Sequence, residues 1–271
     1  MTKFMAILLA TWSAPLGAQW LSYPEAITPR TKDGKPNLTA PAPRIDGKPD
    51  LSGVWQAERT PMSEYARFLG NDPARVQVDL NDVTKVAADV FWGIKPEDQP
   101  LQPEARAIMK QRAGMDSPSL HCLPAGVPAN IFIYDFKMIQ APREIAVMPE
   151  GDPPRQIFTD GRSLPKDPQP SWMGYSVGKW EGDTLAVETV GFTEANWLDI
   201  GGHPRSESMH IRERYHRRDF GHMDLEVTIE DPKYYTRAIT LKTQLNLIPD
   251  SDVLEFVCNE NEKDQAHSAK K

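Results

Sequence analysis

The chain has 271 residues, a formal charge of -7 and a pI near 5.4. This balance argues against a nucleic-acid partner, because phosphate binding wants a basic stripe. The one basic cluster, Arg212, Arg214, His216, Arg217 and Arg218, is interleaved with Glu213 and followed by Asp219, and it reads as a solvated strand face.

Residues 1–18 have the form of a cleavable secretory signal. Lys3 gives a basic start, Phe4 to Ala14 an apolar run and Leu16-Gly17-Ala18 a small-residue exit. No other stretch approaches the roughly 20 apolar residues that a membrane helix needs. The expected product is a periplasmic or secreted protein without a membrane span, its remaining residues enough for a single β-rich domain.

A Pro-rich leader spans 19–50 and contains a near repeat, Asp33-Gly34-Lys35-Pro36-Asn37-Leu38 and Asp46-Gly47-Lys48-Pro49-Asp50-Leu51. Such Pro and Gly density predicts turns lying on the surface. Gly53-Val54-Trp55 follows, a Gly-x-Trp motif that opens many closed antiparallel barrels. Its glycine lets the strand bend while its tryptophan plugs one end. A helical insertion is expected over about 78–113, with one helix at 79–90 on its apolar spacing and a second at 103–112 that starts with proline.

From Ile131 onward strands dominate. They are expected at 132–140, 143–148, 155–159, 173–180, 184–190, 208–217, 223–230, 237–247 and 253–259, with Glu-Gly-Asp and Pro-Asp turns between them. The predicted fold is mainly β, an antiparallel up-and-down barrel of about 8–10 strands with one or two flanking helices. The domain should run from 51 to 262, with 263–271 a flexible tail.

Two cysteines in an exported chain invite pairing, and a Cys122 to Cys258 bridge would close a loop of more than a hundred residues. The alternative is a reactive thiol at Cys122, beside His121.

Strand alternation assigns faces without coordinates. Met209, Ile211, Glu213, Tyr215 and Arg217 share one face, and the opposite face, with His210, Arg212 and Arg214, belongs to solvent. Met223, Leu225, Val227 and Ile229, then Ile239, Leu241, Leu245 and Leu247, continue the apolar face. Glu213 therefore points inward where the period calls for a hydrophobe. A buried carboxylate must be protonated, hydrogen-bonded or paired with a cation, so it is either a structural pair or a reactive group.

Two loops are rich in side chains of mixed chemistry. One holds Asp160, Arg162, Trp172 and Tyr175; the other holds Trp197, Asp199, His203 and Ser206. Such loops often form the mouth of a pocket built on a sheet, although Trp172 and Trp197 would equally cover a barrel end. His203, in a Gly-Gly-His-Pro loop, is the candidate for proton transfer, against the plain reading of a surface histidine. Asp199, His203 and Glu213 match no standard ligand spacing, so no metal and no cofactor is assigned. Nucleophile elbow, phosphate loop and paired Cys-x-x-Cys motifs are all missing.

The strings Arg155-Gln156-Ile157-Phe158-Thr159-Asp160-Gly161-Arg162, Gly174-Tyr175-Ser176-Val177-Gly178-Lys179-Trp180-Glu181-Gly182-Asp183-Thr184-Leu185 and Cys258-Asn259-Glu260-Asn261-Glu262 resemble a family of exported bacterial proteins abundant in acidobacteria. The segments Asp46 to Trp55 and Cys122 to Pro128 are similar to it too. The resemblance implies export, a matched cysteine pair and one barrel similar in outline to lipocalins and other calycins. It implies no reaction and transfers no catalytic residue.

The functional expectation is a barrel that binds a small, partly apolar molecule in its interior, with Trp172, Trp197, Asp199, Tyr215 and Arg162 as ligand-binding residues. The alternative is a lyase, isomerase or hydrolase in the same pocket, with Glu213 as base and His203 or Tyr175 as acid.

Overall fold

The structure is a computed structural model that describes residues 23–61, 63, 64 and 84–258. The signal segment, the first residues of the expected helix at 79–90 and the tail at 263–271 lie outside the described residues.

Short strands β1 (Arg44–Ile45) and β2 (Lys48–Pro49) form a hairpin in the leader. Nine further strands close a barrel: β3 (Gly53–Ala57), β4 (Phe136–Gln140), β5 (Glu144–Pro149), β6 (Arg155–Phe158), β7 (Tyr175–Glu181), β8 (Thr184–Val190), β9 (His210–Arg217), β10 (His222–Glu230) and β11 (Ile239–Leu247). Around the barrel the order is β10-β11-β3-β4-β5-β6-β7-β8-β9, and β9 pairs with β10.

The expected all-antiparallel meander is corrected at one junction, because β6 and β7 run parallel. Parity requires this. Each antiparallel junction reverses the strand direction, so a ring of nine strands closes only if the number of reversals is even. Residues 159–174 carry the chain back to the starting end and make the parallel step possible.

The expected strand at 253–259 does not form over its described residues. Both edges of β11 are already occupied, by β10 and β3, which leaves no free ladder for another strand. Residues 253–258 instead lie largely exposed along the surface and end in the Cys122–Cys258 disulfide. Such a bond belongs to an oxidising compartment.

The start of the expected strand at 132–140 is also corrected. Ala129–Ile133 is a short helix, and β4 begins only at Phe136. A brief apolar run such as Ile131-Phe132-Ile133 suits either structure by periodicity alone. Two other helices are α1 (Lys85–Ala88), capped by Thr84, and α2 (Pro103–Arg112), so Ala129–Ile133 is α3. No helix among the described residues is long and apolar enough to cross a membrane.

The barrel has two unlike ends. At one, the β7–β8 and β9–β10 turns meet the leader: Arg44 pairs with Asp183 at 2.7 Å, and Gly221 donates to the Leu38 carbonyl. Trp55 closes this end. Its Nε1 donates to the Leu51 carbonyl at 2.9 Å, and the Arg217 guanidinium lies 4.9 Å from its ring centroid. Gly53, at φ 138°, lets β3 pass Leu247 where a Cβ would come within 2.5 Å of Leu247 Cδ1. The other end carries α1, α2, α3 and the long loops 191–209 and 231–238. Between the ends the interior is filled by Met138, Ile145, Val147, Ile157, Leu185, Val187, Ile211, Met223, Leu225 and Val227, all buried.

Candidate functional site

Two buried polar clusters interrupt this apolar interior. The first lies inside the barrel wall. On β9 the alternation places Ile211, Glu213, Tyr215 and Arg217 inward, and Glu213 is fully buried. On β6 the same rule turns Arg155 and Ile157 inward, and Arg155 meets Glu213.

Arg155 Nη1 donates to Glu213 Oε1 at 2.9 Å and Nη2 donates to Oε2. Its Nε donates to Ser176 Oγ at 3.0 Å, Nη2 also to Thr189 Oγ1 at 2.8 Å, and the Tyr215 hydroxyl donates to Glu213 Oε1 at 2.8 Å. Ser176 and Thr189 are cross-strand partners on β7 and β8, so the sheet register itself assembles the cradle. Burial works against the Arg155 cation, but the Glu213 charge outweighs it and holds the guanidinium firmly protonated. Burial and the same carboxylate push the Tyr215 hydroxyl well up. Both oxygens of Glu213 are thus occupied by donors from a cation and a tyrosine.

The second cluster sits at the helical end of the barrel. Residues 199–203 turn back on themselves through Gly201 and Gly202, the latter at φ 96°, a conformation that glycine adopts without strain. The turn brings the Asp199 carboxylate onto His203 twice: Oδ1 accepts from the His203 backbone N–H at 3.1 Å, and Oδ2 lies 2.6 Å from ring Nδ1. Oδ2 also accepts from the Val90 N–H at 2.8 Å, which ties the loop to the end of α1. Asp89, the C-cap of α1, holds its Oδ1 3.9 Å from the same Nδ1.

His203 is 1% exposed, its ring 4.9 Å from that of Phe91 in an edge-on arrangement. Its Nε2 is buried and has no hydrogen-bond partner. Burial alone would expel the proton from this imidazole. The adjacent Asp199 charge and hydrogen bond, with Asp89 behind them, reverse the effect and raise its pKa above the usual 6.5. Burial and Asp199 together raise Asp89.

Asp89, Asp199 and His203 offer donor atoms within 4.8 Å of one another, the spacing a cation would need. In this arrangement Asp199 Oδ2 already faces two donors, so a cation would have to displace the proton shared with Nδ1. The tidier chemistry of the cluster is an aspartate-oriented imidazole with its far nitrogen free.

The expected ligand-binding residues are spread over both clusters and the outer wall. Trp197 is buried beneath Arg112 of α2, whose guanidinium lies 4.9 Å from the ring centroid. Trp172 is half-buried against the core, and Tyr215 belongs to the Glu213 cluster. Arg162 is on the outer wall, where it chelates Asp160, reaches the Tyr175 hydroxyl at 3.1 Å and stacks 3.8 Å over Phe158. The Arg162 hydrogen bonds hold Asp160 well below the usual carboxylate range. Beside this group runs an outer groove of about 720 Å³, lined by Arg162, Leu164, Val177, Lys179, Ala186 and Glu188.

The expectation that Glu213, His203 and Tyr175 meet in one interior pocket is therefore corrected. Ser176 turns into the barrel, so its neighbour Tyr175 turns out, across the wall from Glu213. No hydrogen bond joins Glu213 to His203. The reading of His203 as a surface residue is likewise corrected, since the loop buries it. Three participants were missed. Arg155 was legible, because the two-residue period puts it on the face of Ile157. Asp89 and Arg112 come from a region read only as flanking helix, and no local pattern brings them to a loop about a hundred residues away.

Comparison of the chain with protein-family models, with curated proteins and with solved structures finds no match.

Proposed function

We propose that this protein is an exported enzyme, a lyase, isomerase or hydrolase, that moves a proton on a small substrate through His203. One observation carries the reading: the imidazole is held by Asp199 at Nδ1 while Nε2 remains buried and unpaired. A buried polar atom left without a partner costs about 1–3 kcal/mol, a cost that a second molecule offering a partner to Nε2 would relieve.

In this reading Asp199 fixes the tautomer with the proton on Nδ1, which leaves the Nε2 lone pair as base. Nε2 takes a proton from the substrate or, in hydrolysis, from the attacking water, and the imidazolium so formed lies against Asp199 and Asp89. The same Nε2–H then returns the proton to a leaving group or to a different substrate atom. Because Nε2 is closed off, the substrate reaches it when the 199–204 loop or the Phe91 ring moves aside, with Gly201 and Gly202 supplying the freedom. Glu213, with both oxygens engaged, holds the wall of the barrel instead of acting as base.

The test is a screen of the full mature chain against chromogenic esters, lactones, glycosides, phosphate esters and β-elimination substrates. His203→Gln should lower kcat by roughly 10²–10⁴-fold on any substrate that is turned over, with Asp199→Asn following in the same direction. Folded variants as active as the parent would remove the reading, as would a parent inert across the panel.

A second reading keeps a binding protein, with the outer groove and Arg162 in place of the barrel interior. The groove volume of about 720 Å³ favours it. Ligand binding lost in Arg162→Ala and retained in His203→Gln would select this reading over the first.

A further inference from the structure

The fold buries three arginines deeply, and each uses all three of its nitrogens. Arg155 uses Nε, Nη1 and Nη2 on Ser176, Glu213 and Thr189. Arg205 donates to the carbonyls of Thr193, Val127 and Trp172. Arg217 donates to those of Asp219, Asp50, Ser52 and Phe220. This is what burial of a guanidinium demands, since every unpaired donor taken from water is a cost.

Arg112 departs from the pattern. It is half-buried at the end of α2, its ring partner is Trp197, and its one hydrogen bond runs from Nη1 to the Gly202 carbonyl at 3.0 Å. Nε and Nη2 donate to nothing among the described residues. Since Gly202 takes Nη1, the free edge of the fork is the Nε/Nη2 edge. That edge presents two parallel N–H groups, the side-on geometry that matches both oxygens of a planar carboxylate.

The fork is anchored on the His203 loop through Nη1 and its stem. Gly202, the residue Arg112 grips, directly precedes His203, and the Arg112 stem packs against it: a Cβ on Gly202 would sit 3.5 Å from Arg112 Cβ. The anionic groups of the site face the other side of the imidazole, with Asp199 and Asp89 both turned to Nδ1. Asp199 is occupied by the Val90 and His203 N–H groups as well, and Asp89 accepts from the Phe91 N–H. With His203 protonated, Arg112 and the imidazolium balance the two aspartates. Its Nε2–H is then a second buried donor in want of an acceptor.

We propose that Arg112 is the recognition residue of the site, and that the molecules it admits are small organic carboxylates, held side-on by Nε and Nη2 next to His203. The inference rests on the reading of His203 as the reactive centre. It adds the class of substrate: one that carries a carboxylate a bond or two from the atom that gains or loses the proton.

Calorimetric titration of the full mature chain tests it, with acetate and benzoate as probes and acetamide, benzamide and inorganic phosphate as comparisons. Benzoate should bind at least about tenfold more tightly than benzamide, the difference expected of a charge-assisted pair. Arg112→Met, which keeps the stem on Trp197, should lose about tenfold or more. Arg112→Lys, which keeps the charge without the planar fork, should fall between the two. His203→Gln, which keeps the Arg112 fork but loses the cationic Nε2–H donor, should bind benzoate more weakly than the parent, by a smaller factor than Arg112→Met. The proposal is overturned if neither carboxylate binds, if amide and acid bind alike, if Arg112→Met binds as the parent does, or if phosphate binds more tightly than benzoate. A thermal melt of each variant checks folding, and should Arg112→Met fail to fold, Arg112→Lys decides. Carboxylate binding without turnover of any screened substrate would remove the acid-base reading while leaving the clamp in place, so the two failures are distinct.

Discussion

Replacing Glu213 with leucine removes the carboxylate that faces Arg155 inside the barrel. The guanidinium, whose side chain is 1% exposed, then keeps Ser176 and Thr189 but loses both bonds to the acid, and Tyr215 loses its acceptor. Breaking a buried ion pair from one side costs about 3–5 kcal/mol, because the remaining charge is stranded away from water. Glu213→Leu belongs at the upper end of that range. Glu213→Gln, whose amide oxygen still accepts one donor, belongs near the lower end, about 3 kcal/mol. Against a domain stability of about 5–15 kcal/mol either loss is large. Urea unfolding followed by tryptophan fluorescence measures it, with an unchanged slope showing that only stability has moved. The double variant Arg155→Met with Glu213→Leu removes both charges and should recover most of the loss, to within about 2 kcal/mol of the parent. A single-variant loss under about 1 kcal/mol, or a double variant no more stable than Glu213→Leu, would refute the stranded-charge reasoning.

Other outcomes follow from the same geometry. Cys122→Ser opens the loop tied by the 136-residue separation of Cys122 and Cys258 and should cost about 2–5 kcal/mol, with no further loss when reductant is added. Gly126→Ala places a Cβ at φ 67°, within 2.8 Å of the Trp172 carbonyl, and should destabilise by more than about 1 kcal/mol in thermal melts, and by more than Gly182→Ala, which bears the same left-handed strain at φ 62° but meets no neighbouring atom. His203 binds its proton more tightly folded than unfolded, so its stability contribution is complete below the unfolded value near 6.5 and fades as pH rises through the higher folded value. Asp89, also raised, adds a loss of the same sign that begins at lower pH, above its unfolded value of 3.8. A melting series should therefore fall with pH above about 6.5, and His203→Gln should flatten it; a parent curve that rises there would contradict the assignment. If His203 is the base, kcat/KM should rise with a midpoint above 6.5, and Asp199→Asn should move that midpoint down.

The two-residue period carried the barrel wall well, because each strand buries one face and exposes the other. Met223, Leu225, Val227 and Ile229, with Ile239, Leu241, Leu245 and Leu247, are all buried as their spacing requires, and Glu213 is among them. The same period could not say what Glu213 meets. Its partner lies on β6, 58 residues earlier, and only closure of the ring brings the two strands into facing positions. Nor does alternation reveal strand direction, so the parallel step between β6 and β7 was invisible until the strand count forced it. Loops have no period at all. The Gly-Gly-His-Pro segment marked His203 by its chemistry, but burial came from the fold around it, through Val90, Phe91 and Arg112.

The protonation of one ring decides the central claim. In protein labelled with ¹⁵N at histidine, two-dimensional spectra of the imidazole between about pH 5 and 9 report each nitrogen separately. Nδ1 of His203 should hold its proton throughout, and Nε2 should lose its proton at a midpoint above 6.5 that falls in Asp199→Asn. A neutral ring with its proton on Nε2, or a ring that does not titrate across this range, would contradict the assignment of Nε2 as the atom that does the chemistry.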